Sequence, residues 1–263
     1  MKFARFKVFA LLILIFQLAV AKQPDQWNSK KCAVVLTYDD ALNVHLDNVI
    51  PCLDSAGIKG TFYITGESSA ISKRLSEWRS AAKHGHELGN HTLTHPCDGR
   101  LPGRSWVSAE NDLSRYSFDR VIKEIRVTNT LLQAIDGKTE RTFAFPCGDT
   151  KIDTISFYPT VEHEFVGARG VSEGLQSLNK VDLNSIDCFA INGQSGDYMI
   201  DLVKKAMGSH TLLVFLFHGV GGEHNLNVSL EAHSQLVQYL KRHKHEIWVA
   251  PMVDVARFIR EKQ

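Results

Sequence analysis

Short apolar runs of β-forming residues alternate along the chain with longer stretches whose apolar positions recur at helical spacing. The strand-like runs cover 33–38, 60–64, 87–90, 142–145, 165–168, 212–217 and 247–250, and the helical stretches cover 43–55, 72–84, 118–135, 198–207, 230–243 and 253–260. Steady alternation of the two predicts parallel βα units, and so an α/β fold that is either a barrel or an open doubly wound sheet. Both architectures gather their ligand-binding groups at the carboxyl ends of the strands. The residues that close each run are therefore the first place to look for chemistry.

Four of those ends are polar or turn-forming. Asp39 and Asp40 close the first run, Ala33-Val34-Val35-Leu36-Thr37-Tyr38. Two adjacent carboxylates at the end of a buried strand repel each other and are destabilising unless a cation or hydrogen-bond donor offsets them. His91 follows the third run and His95 stands four residues further on, a spacing that on a helical turn would aim both imidazoles at one point and suits a zinc-like ion. Pro146-Cys147-Gly148 follows the fourth run, and His218 ends the run from Leu212 to Phe217. An acid pair or a histidine pair alone is as often structural as functional. Four such motifs on one rim point to a metal-assisted reaction.

Composition narrows the setting. Lys2, Arg5 and Lys7 precede an apolar run from Val8 to Val20, and Ala19-Val20-Ala21 fits the small-x-small cleavage rule, so residues 1–21 read as a secretory signal peptide. The apolar run is short for a membrane span and no second long one follows, so no stable span is expected after cleavage. Residues 22–263 are expected to form one catalytic domain, exported to a periplasm or secreted. Without the three leader cations the chain carries 27 Lys plus Arg against 29 Asp plus Glu. That balance of −2, with no basic stripe, excludes nucleic acid as the expected partner. Cys32, Cys52, Cys97, Cys147 and Cys188 make an odd count that allows at most two internal disulfides. Their pairing is open, and Cys97, two residues after His95, could be a thiolate ligand, a disulfide partner or a small buried residue.

The motifs together resemble the polysaccharide deacetylases of carbohydrate esterase family 4. Thr37-Tyr38-Asp39-Asp40 matches that family's Thr-Phe-Asp-Asp, His91-Thr92-Leu93-Thr94-His95 its His-Ser/Thr-x-x-His, Phe145-Pro146-Cys147-Gly148 its Pro-x-Gly turn, and Leu216-Phe217-His218 its late Leu-x-His. The resemblance implies a distorted (β/α) barrel with seven strands, taking an acetylated glycan as a monomer and removing acetyl groups, N-acetyl first, with O-acetyl also open. It implies Asp40, His91 and His95 as ligands of a divalent ion, zinc foremost with cobalt or nickel also accepted. It implies Asp39 as general base, His218 as general acid, the Cys147 backbone N–H as an oxyanion donor and Leu216 as a wall of the acetyl methyl pocket. A noncatalytic glycan-binding relative and a hydrolase of small or cyclic amides are the two competing readings.

One departure bears on the base. Many relatives carry an arginine that pairs with the catalytic aspartate where this chain has Ala144. Arg141 is expected to face the other side of its strand. Arg169 is therefore expected to orient Asp39. Asp187 is the first candidate to orient His218, with Asp182 and Asp197 as rivals. Trp78, Trp106 and Tyr116 are candidate platforms for sugar rings, and 96–116 reads as a loop over the rim.

Overall fold

The computed structural model describes residues 27–263, so the expected signal peptide lies outside the described residues. Eight parallel strands build the main sheet: β1 (Cys32–Asp39), β2 (Thr61–Ile64), β3 (Glu87–Asn90), β4 (Phe143–Ala144), β5 (Ala168–Arg169), β6 (Phe189–Ala190), β7 (Leu212–Phe217) and β8 (Ile247–Val249). Seven of them run in the order β5-β4-β3-β2-β1-β7-β6, and β8 pairs with the first residues of β1. A bridge between Arg169 and Ile186, just ahead of β6, joins the two ends of that row. The sheet thus curls into the seven-stranded distorted barrel that the motifs imply.

β1 is the axis of this arrangement, and all eight of its residues are buried. Cys32, Val34, Leu36 and Tyr38 face the larger core, under the helices, while Ala33 and Val35 face the smaller core inside the barrel with Val214, Leu216 and Cys188. A strand buried on both faces has no polar positions to alternate with, which is why its sequence reads as a continuous apolar run. The principal helices are α1 (Ile50–Ala56), α2 (Leu75–Lys83), α3 (Phe118–Asp136), α4 (Gly196–Ser209), α5 (Leu230–Arg242) and α6 (Met252–Lys262). Ser117, Ser195 and Ser229 cap α3, α4 and α5 by accepting a backbone N–H from the first turn. None of the described helices is long and apolar enough to cross a membrane.

Two strand expectations are corrected. The run 165–168 pairs later, at Ala168 and Arg169, while Phe165 packs into the aromatic cluster against Phe143 and Tyr158. β6 has no counterpart among the expected strands, since only two of its residues pair with β7.

Candidate active site

The strand ends converge on a cleft of about 670 Å³. Asp39 is the last residue of β1 and points inward, in step with Ala33 and Val35. Asp40 would face away if the strand continued, but its φ of 79° and that of Ala41, 53°, turn the backbone into the left-handed region. The turn delivers the second carboxylate to the same rim. A hydrogen bond from the Asp40 N–H to the Tyr63 carbonyl on β2, 3.1 Å, holds it there.

The histidines are presented by a loop rather than by the helical turn their spacing suggests. β3 stops at Asn90, whose side-chain oxygen accepts the Thr92 N–H at 2.8 Å, and the Thr92 hydroxyl accepts the His95 N–H at 3.0 Å. With φ of 66° at Thr92 and 55° at His95, this coil folds back so that the two rings meet edge to face, their centroids 4.8 Å apart. His91 donates Nδ1–H to the Ala144 carbonyl at 2.8 Å. That bond leaves Nε2 with its lone pair toward the cleft, the tautomer a metal ligand needs.

One oxygen of Asp40 lies 3.7 Å from His91 Nε2 and 3.5 Å from His95 Nε2, and the ligand atoms of the three residues all fall within 4.8 Å of one another. The donor set of two imidazoles and a carboxylate fits a divalent ion of the zinc class. Burial alone would raise the pKa of Asp40, but the imidazoles of His95, His91, His218 and His224 outweigh it and lower it. Burial pushes His91 down to about 4, so this ring is neutral at physiological pH. Cys97 adds no thiolate, because it is disulfide-bonded to Cys147. The bridge ties the His95 loop to the turn carrying Cys147.

Asp39 is held separately. Arg169, fully buried on β5, donates Nη2–H to Asp39 Oδ2 at 2.5 Å and Nη1–H to the Gly170 carbonyl at 3.0 Å. Burial works against the guanidinium charge, yet the Asp39 carboxylate together with Cys188 and Tyr63 outweighs it, and the pKa of Arg169 lies above its usual value. Ala144 and Arg169 are direct partners in the β4–β5 register. The cation thus comes from the strand beside the position where relatives carry it. Arg141 is turned away, bonded to Asp136 and to the Leu88 carbonyl. The other Asp39 oxygen, Oδ1, is buried without a hydrogen-bond partner.

His218 follows β7, and its Nε2 lies 3.9 Å from the second oxygen of Asp40. Burial, resisted by Asp39 and Asp40, lowers its pKa. Asp187 does not orient it. Cys188 points into the barrel, its sulfur 3.7 Å from Arg169 Nη1, so alternation sends the neighbouring Asp187 to the other face, against Gly174. Two residues absent from the sequence reading take its place. His45 Nδ1 accepts the Leu42 N–H and its Nε2–H donates to the His218 carbonyl at 2.8 Å, fixing the backbone there. His224 stacks on the His218 ring, centroids 4.7 Å apart and planes within 12°. No periodicity or motif marks either residue.

Leu216, Phe145 and Cys147 line the cleft beside the metal-ligand group, and Trp106, Val171 and Leu226 line it further out. Trp106 is 63% exposed, whereas Trp78 is fully buried in the core. Tyr116 is spoken for as well, its hydroxyl bonded to Thr94 and its ring covered by the Arg120 guanidinium.

Two curated relatives align over parts of the chain. A gellan lyase from a Bacillus species is 22% identical over 254 residues, 89% of this chain and 10% of the lyase. The Bacillus subtilis protein YlxY is 27% identical over 106 residues, 40% of this chain and 28% of its own. The chain therefore spans only a tenth to about a quarter of these relatives. Among solved structures, a point mutant of the peptidoglycan deacetylase PdaC from Bacillus subtilis superposes with a TM-score of 0.52 at 15% identity, over 88% of this chain and 92% of its own. The polysaccharide deacetylase Bc1974 from Bacillus cereus gives 0.52 at 16% identity, over 84% and 91%. A mutant of BA3943, a pseudoenzyme of carbohydrate esterase family 4 with restored activity, gives 0.55 at 16%, over 89% and 68%. At these identities the likeness is one of fold. Residues 27–165, more than half of the chain, match the polysaccharide deacetylase family, and the protein belongs to that family.

Proposed function

We propose that the protein is a metal-dependent hydrolase that removes acetyl groups, N-acetyl groups first, from an extracellular or cell-wall glycan. One observation carries the reading. Asp39 is clamped by Arg169 through one oxygen and left with a buried, unpartnered second oxygen, directly beside the Asp40, His91 and His95 donor set. A carboxylate committed to metal and another kept free for protons is the division of labour that hydrolysis of an unactivated amide requires.

A divalent ion held by Asp40, His91 and His95 would supply Lewis acidity toward the acetyl carbonyl and toward water at neutral pH. The protein's own groups would do the rest. Asp39 Oδ1 would take a proton from the attacking water, with Arg169 holding the carboxylate in place. His218 would give a proton to the leaving nitrogen. Burial lowers the pKa of this imidazole, which makes its charged form the stronger acid while reducing the fraction charged. The Cys147 N–H would face the developing oxyanion, and Leu216 would wall the acetyl methyl. Trp106 and Leu226 would offer apolar surface to the sugar faces.

Acetate release from acetylated chito-oligosaccharides, peptidoglycan and xylan tests the reading, measured with zinc or cobalt added and again after chelation. Asp39→Asn should bind metal and lose activity by about 10²–10⁴-fold. Asp40→Ala should lose metal binding itself. Bound metal with no release from any glycan would sink the proposal in favour of a noncatalytic glycan-binding protein, or of an amidohydrolase if a small amide is turned over instead.

A further inference from the structure

We propose that His224 is a positioning residue for Asp40, donating from Nε2–H to the carboxylate oxygen that the metal-ligand group leaves free. The inference rests on the metal reading above and goes beyond it by assigning a residue outside the four shared motifs.

Asp40 turns one carboxylate oxygen toward each of two histidine pairs. Its Oδ1 is the atom nearest His91 and His95, so a ligand role for that oxygen leaves Oδ2 facing His218 at 3.9 Å and His224 at 3.8 Å. Among the described residues no hydrogen bond reaches either oxygen of this carboxylate. A liganding carboxylate without an outer partner can swing between one-oxygen and two-oxygen binding, and outer donors are what fix its orientation. His218 has the substrate side of the cleft to serve, which leaves His224 for Oδ2.

Its tautomer is already set for donation. The Leu226 N–H donates to His224 Nδ1 at 3.0 Å, closer than the 3.4 Å from that nitrogen to the Leu226 carbonyl, so the tautomer this geometry favours carries its proton on Nε2, the atom aimed at Asp40. The same bond argues against His224 as a further metal ligand, since Nε2 has no lone pair to give. At 3.8 Å the contact lies outside hydrogen-bond range, so the donation requires Oδ2 and the ring to approach as the carboxylate turns onto its ligand.

The loop is built to hold that ring still. Glu223, at φ 66°, turns its carboxylate onto the Val44 N–H at 2.7 Å and the Asn43 amide at 2.6 Å. Asn227 accepts the Gly222 N–H at 2.8 Å, and Gly219 donates to the Leu226 carbonyl at 3.0 Å. Stacking on His218 completes the restraint. A segment tied at both ends in this way places one imidazole and little else.

The test compares wild type, His224→Ala and His224→Gln, the glutamine returning an N–H donor near the position of Nε2. Zinc affinity is measured by competition with a chromophoric chelator, the visible spectrum of the cobalt form reports ligand geometry, and folding is checked by circular dichroism. The expected result is zinc binding weakened about 10- to 100-fold in His224→Ala, with a changed cobalt spectrum, and largely recovered in His224→Gln. Unchanged affinity and spectrum in a folded His224→Ala overturn the role, even if KM rises, because that pattern would make His224 a substrate contact. An alanine loss that glutamine does not recover overturns it too. Wild type that binds no zinc overturns the metal centre itself, a failure visible before any variant is made.

Discussion

Arg169→Met is the most informative perturbation of this barrel. Both charges of the Arg169–Asp39 pair are almost wholly buried, 0% and 4% exposed at the side chain, and the pair closes at 2.5 Å. Methionine fills much of the arginine volume but strands the Asp39 carboxylate in the barrel without a cation. Breaking a buried pair from one side costs about 3–5 kcal/mol, a sizeable share of the 5–15 kcal/mol that holds a typical domain together. Asp39→Ala should cost a similar amount by stranding the guanidinium. The double variant carries no uncompensated charge, so its loss should fall short of the sum of the singles by about 2–3 kcal/mol. Urea unfolding at pH 7 in the presence of a chelator measures all four proteins without a contribution from metal binding. Arg169→Lys restores charge without the planar fork that also reaches the Gly170 carbonyl, so it should recover only part of the loss. If the single losses add to within about 0.5 kcal/mol of the double, the pair is not coupled and the clamp on the base does not exist.

Three further predictions follow from other parts of the molecule. Burial holds His45, His86, His91 and His233 at about 4, against an ordinary value of 6.5, so between those values the unfolded chain binds more protons than the folded one. Stability of the metal-free protein should fall as pH drops from 6.5 toward 4, by about 1.4 kcal/mol per pH unit for each histidine, and uptake of fewer than two protons on unfolding at pH 5 would refute the burial of these rings. The Cys97–Cys147 bridge closes a separation of 50 residues, worth about 4 kcal/mol on the chain-entropy account, so the double alanine variant should melt at a clearly lower temperature; an unchanged Tm would show that the loop is held by other means. Trp106→Ala should raise KM on an oligosaccharide about 3- to 10-fold with kcat nearly constant, and a kcat loss instead would place this exposed ring in the reaction and not on the sugar.

Much of this was legible in the sequence where burial leaves a plain signature. The run at Leu212–Phe217 is a strand at the expected limits, because a strand covered on both faces reads as a continuous apolar run. The rest was set by register and local dihedrals, which leave little trace in residue types. Arg169 lies beside Ala144 only because two short strands pair in one particular offset. His91 and His95 meet through left-handed coil, although their spacing imitates a helix. Asp187 failed as a partner for His218 because one step along an extended chain reverses the side that faces inward. His224 was silent because a loop fixed by its own hydrogen bonds needs no periodic pattern.

Asp40, Ala41, Thr92, His95 and Cys147 all have positive φ without being glycine; Asp40, His95 and Cys147 line the cleft, and Ala41 and Thr92 each adjoin a lining residue in the chain. Each sits where an L-residue is disfavoured by about 1 kcal/mol or more. The rim is thus a spring held under tension by the barrel beneath it, and a search for heat-resistant variants should look there, with the strain released by Ala41→Gly set against the buried methyl it removes. Gains found there would loosen the carboxylate that Ala41 helps to aim. Durability and turnover should therefore trade against each other at the rim, while the barrel wall can be hardened freely.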